Sequence, residues 1–177
     1  AIIHFDAHTD LLVERLGIDL CFGSWCTHIL KDLHEPHHLI QVGIRSSGRP
    51  KSHWENTFGV RQHWAHEIKE LGVEVVINNI LAQLKDERID ELYVSFDIDA
   101  IDDSFAAATG TPEPNGIMPE EAMCILCALA SHYPITGADM MEIAPFTDSS
   151  GLGVISQEKT LKVGAELSAF LIGEMNK

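Results

Sequence analysis

The sequence predicts an α/β fold in three layers, αβα, with a mostly parallel sheet covered by helices on both faces and a single domain spanning residues 1–177. Three observations predict it. Short apolar runs alternate with stretches of helical periodicity, the apolar runs end in polar or acidic groups, and no repeat, linker or low-complexity tract interrupts the alternation. A 45% hydrophobic composition over 177 residues is enough to build one core.

Taken in order, Ile2 to Phe5 reads as a buried parallel strand leading directly into aspartate and histidine. Trp25, Cys26, Ile29, Leu30 and Leu33 recur at helical spacing, and Leu39 to Ile44 supplies a second strand before a polar loop from Ser46 to Ser52. Trp64, Ile68 and Leu71 mark one helical face. Beyond Gly72, Val73, Val76, Ile77, Ile80, Leu81 and Leu84 hold the positions of an amphipathic helix. Leu92 to Phe96 is a third strand, ending in Asp97 and Asp99. Pro119 opens a helix with Glu120 and Glu121 in its first turn, where the helix dipole favours acids. Ile135 to Met141 and Glu158 to Gly173 complete the chain as a strand and a closing helix. In such a sheet the site belongs in a crevice beyond the strands' carboxyl ends.

Composition excludes several functions. Lys and Arg total 12 against 27 Asp and Glu, and the formal charge of −15 repels nucleic acid and anionic membrane surfaces. The longest apolar run, Ala122 to Ala130, is too short to span a bilayer, and no signal segment opens the chain. Four cysteines without a disulfide framework fit a reducing compartment, so the expectation is a soluble cytoplasmic protein. Cys124 and Cys127 sit in the apolar helical run EEAMCILCALA, and they are expected to pack on one face of a buried helix rather than to bind metal.

The chemistry is concentrated at two strand ends. Asp6, His8 and Asp10 follow the first strand at alternate positions, a spacing that lets extended or gently turning backbone aim three donors at one point, and Asp97 and Asp99 repeat the device. A single aspartate at a strand end is most often a cap or turn former. Five such donors in two clusters are harder to explain that way, because four carboxylates in one crevice raise each other's pKa values unless cations offset them. Oxygen-rich ligands with a minority of imidazole suit manganese over structural zinc, and two ions about 3.5–4 Å apart lower the pKa of a shared water toward neutrality.

HFDAHTD at 4–10 and SFDIDAID at 95–102 resemble two metal-binding signatures of the arginase, agmatinase and formiminoglutamase family, and TGTPEPNG at 109–116 is similar to the loop that follows the second. The motifs stand in the family's order, and the resemblance covers nearly the whole chain. It implies an arginase-like fold and two Mn2+ ions, with Asp6 and Asp97 bridging them, Asp10 completing one site and His8 and Asp99 the other. Glu142 in GADMMEIAP resembles the carboxylate that grips the substrate guanidinium through paired hydrogen bonds. The implied partner is a small guanidino or formimino compound, and family members are often homo-oligomers.

The resemblance also has gaps. The family places a further histidine ligand in a Gly-Gly-Asp-His-Ser segment upstream of DAHTD, and this chain opens in mid-strand at AIIHFD, so missing amino-terminal strands are expected. A ligand from another segment and a degenerate one-metal member are the alternatives. Where relatives carry a His-Gly pair, Phe22-Gly23 stands here, with His28 expected to be structural. GIRSSGR at 43–49 has Ser46, Ser47 and Arg49 where arginases place acids for the α-amino group, which argues against arginine as substrate. Arg49 or Lys51 could pair with a substrate carboxylate, or be solvated loop cations. Asp103 replaces a usual proline and Ala107-Ala108 a common Pro-Gly, changes of loop stiffness more than of ligation. His34, His37 and His38 read as surface loop residues. A single-zinc deacetylase-type amidohydrolase and a non-catalytic metal-binding family member are the competing functions.

Overall fold

The computed structural model describes residues 1–145 and 154–177, with side chains from 156 in the second stretch. Five strands, β1 (Ile2–Phe5), β2 (Leu39–Ile44), β3 (Arg61–Trp64), β4 (Leu92–Asp97) and β5 (Ile135–Met141), form one parallel sheet in the order β3-β2-β1-β4-β5. The helices are α1 (Trp25–Ile29), α2 (Lys51–Phe58), α3 (Ala65–Leu71), α4 (Val73–Asp86), α5 (Asp103–Ala106), α6 (Pro119–His132) and α7 (Val154–Met175). Among the described residues no helix is long and apolar enough to cross a membrane.

Strand alternation sorts the two faces. Ile3, Phe5, Ile40, Val42, Val94 and Phe96 project into the main core, where the buried stripes of α4 (Val76, Ile80, Leu84), α6 (Ile125, Leu126, Leu129) and α7 (Val163, Leu167, Leu171) meet them. Phe5 and Phe96 stack at 4.7 Å across β1 and β4. On the opposite face α1 and α2 cover a smaller cluster of Leu11, Cys26, Leu39, Trp54 and Val60.

Several expectations change. The helix read from Trp25 to Leu33 ends at Ile29 and continues as turns. Trp64, read as part of a helical face, ends β3 instead, and α2 and β3 themselves fall where no apolar pattern announces them. β3 reads Arg-Gln-His-Trp, yet Gln62 is buried, because its amide donates to Gln41 Oε1 at 2.8 Å and accepts from Trp64 Nε1 at 2.9 Å. Cys124 and Cys127 do share one helix face, but it is the solvent face of α6: both are exposed, since Ala122, Ile125, Leu126 and Leu129 already supply the stripe that the core accepts. Asp103 opens α5 as a first-turn acid, while Asp102 caps that helix and accepts the Gly116 N–H at 2.9 Å.

Candidate metal centre

The register of the sheet creates the site. β1 and β4 pair with Phe5 beside Phe96, so the next residues, Asp6 and Asp97, emerge side by side at the carboxyl ends of adjacent central strands. Backbone N–H groups then fix the carboxylates: His8 N donates to Asp6 Oδ1 (2.6 Å), Ala7 N to Asp99 Oδ1 (3.0 Å) and Asp99 N to Asp97 Oδ1 (2.9 Å). Asp10 adopts a left-handed conformation (φ 51°), and its Oδ2 accepts the Trp25 indole N–H at 2.9 Å.

Donor atoms of Asp6, His8 and Asp99 lie within 4.8 Å of one another, and those of His4, Asp6 and Asp10 form a second such group, so Asp6 belongs to both. Asp97 is in neither group but lines the same cavity, of ≈ 460 Å³, together with Asp6, His8, Asp10, Asp99 and Glu142. The crevice therefore assembles every residue singled out from the sequence as a ligand or substrate carboxylate.

Electrostatics fits a cation. Burial first, then repulsion from Asp99 and Asp6, pushes Asp97 up to about 9. Burial and the Asp6 charge push Asp10 up to about 7. Burial works against ionisation of Asp6 as well, but hydrogen bonds from His4 and His8 outweigh it and hold that carboxyl below its usual range. His8 shows the converse: burial opposes its charge, while Asp6 at 3.3 Å and Asp99 at 3.0 Å from Nδ1 raise it to about 11. This donor set, rich in carboxylate oxygen with one exposed-edge imidazole, suits hard divalent ions of the manganese type.

Five residues that support the site carry little signal in the sequence. His4, 1% exposed, places Nε2 at 3.0 Å from Asp6 Oδ2. The Gln41 amide fixes its tautomer: Gln41 Nε2 donates to Thr9 O (2.7 Å) and to His4 Nδ1 (3.0 Å), leaving the His4 proton on Nε2 to bond Asp6. Gln62, Gln41 and His4 stand at matching register on β3, β2 and β1, a buried polar row ending on the shared aspartate. Arg45 donates to six backbone carbonyls, among them Asp99 O (2.7 Å), Ala100 O (3.1 Å) and Glu113 O (2.7 Å), and so sews the 109–116 loop to the second signature. Glu113 in turn accepts from Ser46 Oγ at 2.7 Å and stands 3.6 Å from His8 Nε2.

Glu142 follows β5 with φ 62°, a strained backbone for a residue with a Cβ. Its carboxylate crosses over Gly110, where an added Cβ would stand 2.9 Å from Oε2. If Glu142 binds substrate, as the sequence resemblance implies, Gly110→Ala should displace its carboxylate and raise KM several-fold while leaving the melting temperature nearly unchanged; unaltered kinetics would remove that role. Phe22 and Gly23 line the cavity mouth, and His28 is turned away, with Nε2 at 2.8 Å from Asp19 O, in keeping with its structural reading. Lys51 does not face this cavity: it pairs with Glu67 at 2.8 Å. Arg49 is exposed and also absent from the lining. Among the described residues the guanidinium that does line it is Arg15, stacked 4.7 Å over the Phe22 ring, a position with no spacing signal in the sequence.

A parallel α/β sheet with paired aspartate and histidine clusters beyond its strand ends is the architecture of the ureohydrolase class that the motifs suggested. The chain belongs to the Arginase family, whose model matches residues 1–173. It is 35% identical over 170 residues to proclavaminate amidinohydrolase of Streptomyces clavuligerus, covering 94% of this chain and 52% of the relative. It is 34% identical over 158 residues to an agmatinase of Salmonella paratyphi B, covering 88% and 47% respectively. The solved structure of the Streptomyces enzyme superposes with a TM-score of 0.81 at 30% identity, over 99% of this chain and 56% of that one. That of Bacillus subtilis formimidoylglutamase gives 0.82 at 25% identity, over 99% and 53%. The chain thus spans about half the length of the curated relatives it matches.

Proposed function

We propose that this chain carries the hydrolytic centre of an enzyme that cleaves a linear C–N bond in a guanidino or formimino acid, with two Mn2+ ions as cofactor. In this reading Asp6, His8, Asp10, Asp97 and Asp99 would hold the ions. The observation that carries it is Asp6, common to two convergent groups of donor atoms in one crevice. When bound, the ion pair supplies Lewis-acid polarisation and lowers the pKa of a water. His4 keeps the shared carboxylate oriented through its Nε2–H, and Glu142 accepts paired N–H donors from the planar guanidinium or amidine, setting its carbon against the crevice floor. Urea or formamide and a free amine are the products. The Gly-Gly-Asp-His-Ser segment in which the family carries a further histidine does not occur within residues 1–177.

An acidic substrate is favoured by Arg15, a guanidinium on the cavity wall, while the facing loop offers Ser46, Ser47 and Gly48 and no acid for an α-amino group. The names of the relatives, an amidinohydrolase, an agmatinase and a formimidoylglutamase, span the same range of chemistry. The deciding experiment loads the purified chain with manganese and follows urea and formamide release across arginine, agmatine, other guanidino acids and formiminoglutamate. Release from a guanidino or formimino acid is the expected result, and silence across the panel would favour a non-catalytic member. Arg15→Ala should then raise KM for the acid about 10-fold, the loss of a charge-assisted contact, and leave any agmatine turnover unchanged; an equal effect on both would remove Arg15 from substrate recognition. Cytoplasmic location and a homo-oligomer belong to the same proposal, supported by four unpaired thiols and by an apolar arm whose Leu16 is 95% exposed.

A further inference from the structure

We infer a second metal site, for a Zn2+-class ion, formed by His37, His38 and Glu87 at the opposite end of the sheet from the aspartate cluster. His37 and His38 end the short 3-10 turn Pro36–His38 that enters β2, and Glu87 caps the carboxyl end of α4. Both therefore lie at the amino ends of the strands, about 20 Å, the length of β2, from the carboxyl-end crevice. The site uses none of the residues assigned to hydrolysis, so it stands apart from the proposed activity.

The donors already converge. One atom from each residue lies within 4.8 Å of the others; His37 Nε2 is 2.9 Å and His38 Nε2 4.0 Å from the same Glu87 oxygen, Oε2. A tetrahedral ion with bonds of 2.0–2.2 Å needs donors about 3.3 Å apart, so the His38–Glu87 pair must close by less than an ångström and the His37–Glu87 pair open by less than half of one, while the two imidazole donors lie within 4.8 Å of each other. The two rings stand at 89° with centroids 5.1 Å apart, and Pro36 fixes the turn that holds them. His37 Nε2 is buried and, despite its short approach to Oε2, makes no directed hydrogen bond. An imidazole nitrogen with a carboxylate oxygen beside it but not along its bond axis is placed for an ion between the two rather than for a proton.

Two imidazoles and one carboxylate are a zinc ligand set with a fourth position left for water. The adjoining cavity, ≈ 280 Å³, has room for that water, and Glu55, Asp86 and Glu87 line it beside Lys51 and Arg61. Lys51 is further neutralised by Glu67 at 2.8 Å. An ion here would clip the entry of β2 to the end of α4 and stabilise the folded state in proportion to its occupancy.

The test titrates Zn2+ into the metal-free full chain and follows histidine ring 15N resonances, which separate His37 and His38 from His8. Expected is a shift of the His37 and His38 Nε2 signals at about one equivalent, and a zinc affinity at this site reduced by more than roughly 100-fold in His38→Ala, with His8 signals responding as in the parent. Circular dichroism checks that the variant folds, and Glu87→Gln, which keeps size and hydrogen bonding, should weaken the same binding event. Unshifted His37 and His38 signals at zinc concentrations that saturate His8 would overturn the site, as would full zinc stoichiometry in both variants.

Discussion

If Asp97 holds metal as proposed, replacing it with alanine should abolish manganese binding and lower kcat/KM by at least about 10³-fold, equivalent to about 4 kcal/mol of transition-state stabilisation. Asp97 emerges beside Asp6 from the paired central strands, and its carboxylate faces the same crevice as Asp99 and Glu142. Without it the remaining donors supply too little charge between the two positions, and added manganese cannot restore turnover. Metal analysis and urea or formamide release read this directly, and activity retained with two ions bound would sink the proposed ligand assignment. The same side chain makes an opposite prediction for the metal-free protein. Its carboxyl is raised to about 9 by burial and its acidic neighbours, far above the unfolded value, so the unfolded chain releases this proton first as pH rises. Asp97 therefore destabilises the metal-free fold increasingly from near pH 4 to about pH 9. Asp97→Ala should melt higher than the parent at pH 7 in chelator, with the difference vanishing near pH 4. Protons compete with metal at the same oxygens, so manganese affinity in the parent should climb over that pH range.

Arg45→Met costs about 3 kcal/mol and lowers the melting temperature by roughly 6–12 °C for a domain of this size. Methionine keeps most of the side-chain volume, so the loss isolates the hydrogen bonds. The guanidinium serves carbonyls of Gly43, Asp99, Ala100, Ile101, Glu113 and Pro114 at 2.7–3.3 Å, joining β2, the second signature and the 109–116 loop. Several of those oxygens lose their charged donor when it is removed, and a buried acceptor without one costs more than the bond was worth on formation. Glu113 and Thr111, which reach toward His8 and Asp99, would shift with the loop. Manganese affinity should fall along with stability. A melting temperature within two degrees of the parent's, by the ~1 kcal/mol scale of ordinary substitutions, would show that the carbonyls find water or other donors at little cost.

Much of the fold was legible because buried parallel strands and amphipathic helices write their burial into residue type. β1, β2 and β4 are largely apolar runs, and the α4 stripe repeats at helical spacing. β3 was invisible for the converse reason: its buried positions are polar, and Gln62 is tolerated only because Gln41 and Trp64 satisfy it from other positions of the fold. The exposed cysteines of α6 show the limit of composition, since an apolar helix does not announce which of its faces the core will take.

The sequence by itself marked the candidate donors: acids and imidazole at alternate positions directly after two apolar strands show where ligands can be. Only the tertiary structure decided how they meet. The pairing of β1 with β4 sets Asp6 beside Asp97, the Gln62–Gln41–His4 row fixes the proton that orients Asp6, and Arg45 reaches carbonyls of residues 99–114 across more than fifty positions of the chain. Such contacts depend on register and on loop closure between segments tens of residues apart, and local residue patterns carry no record of either.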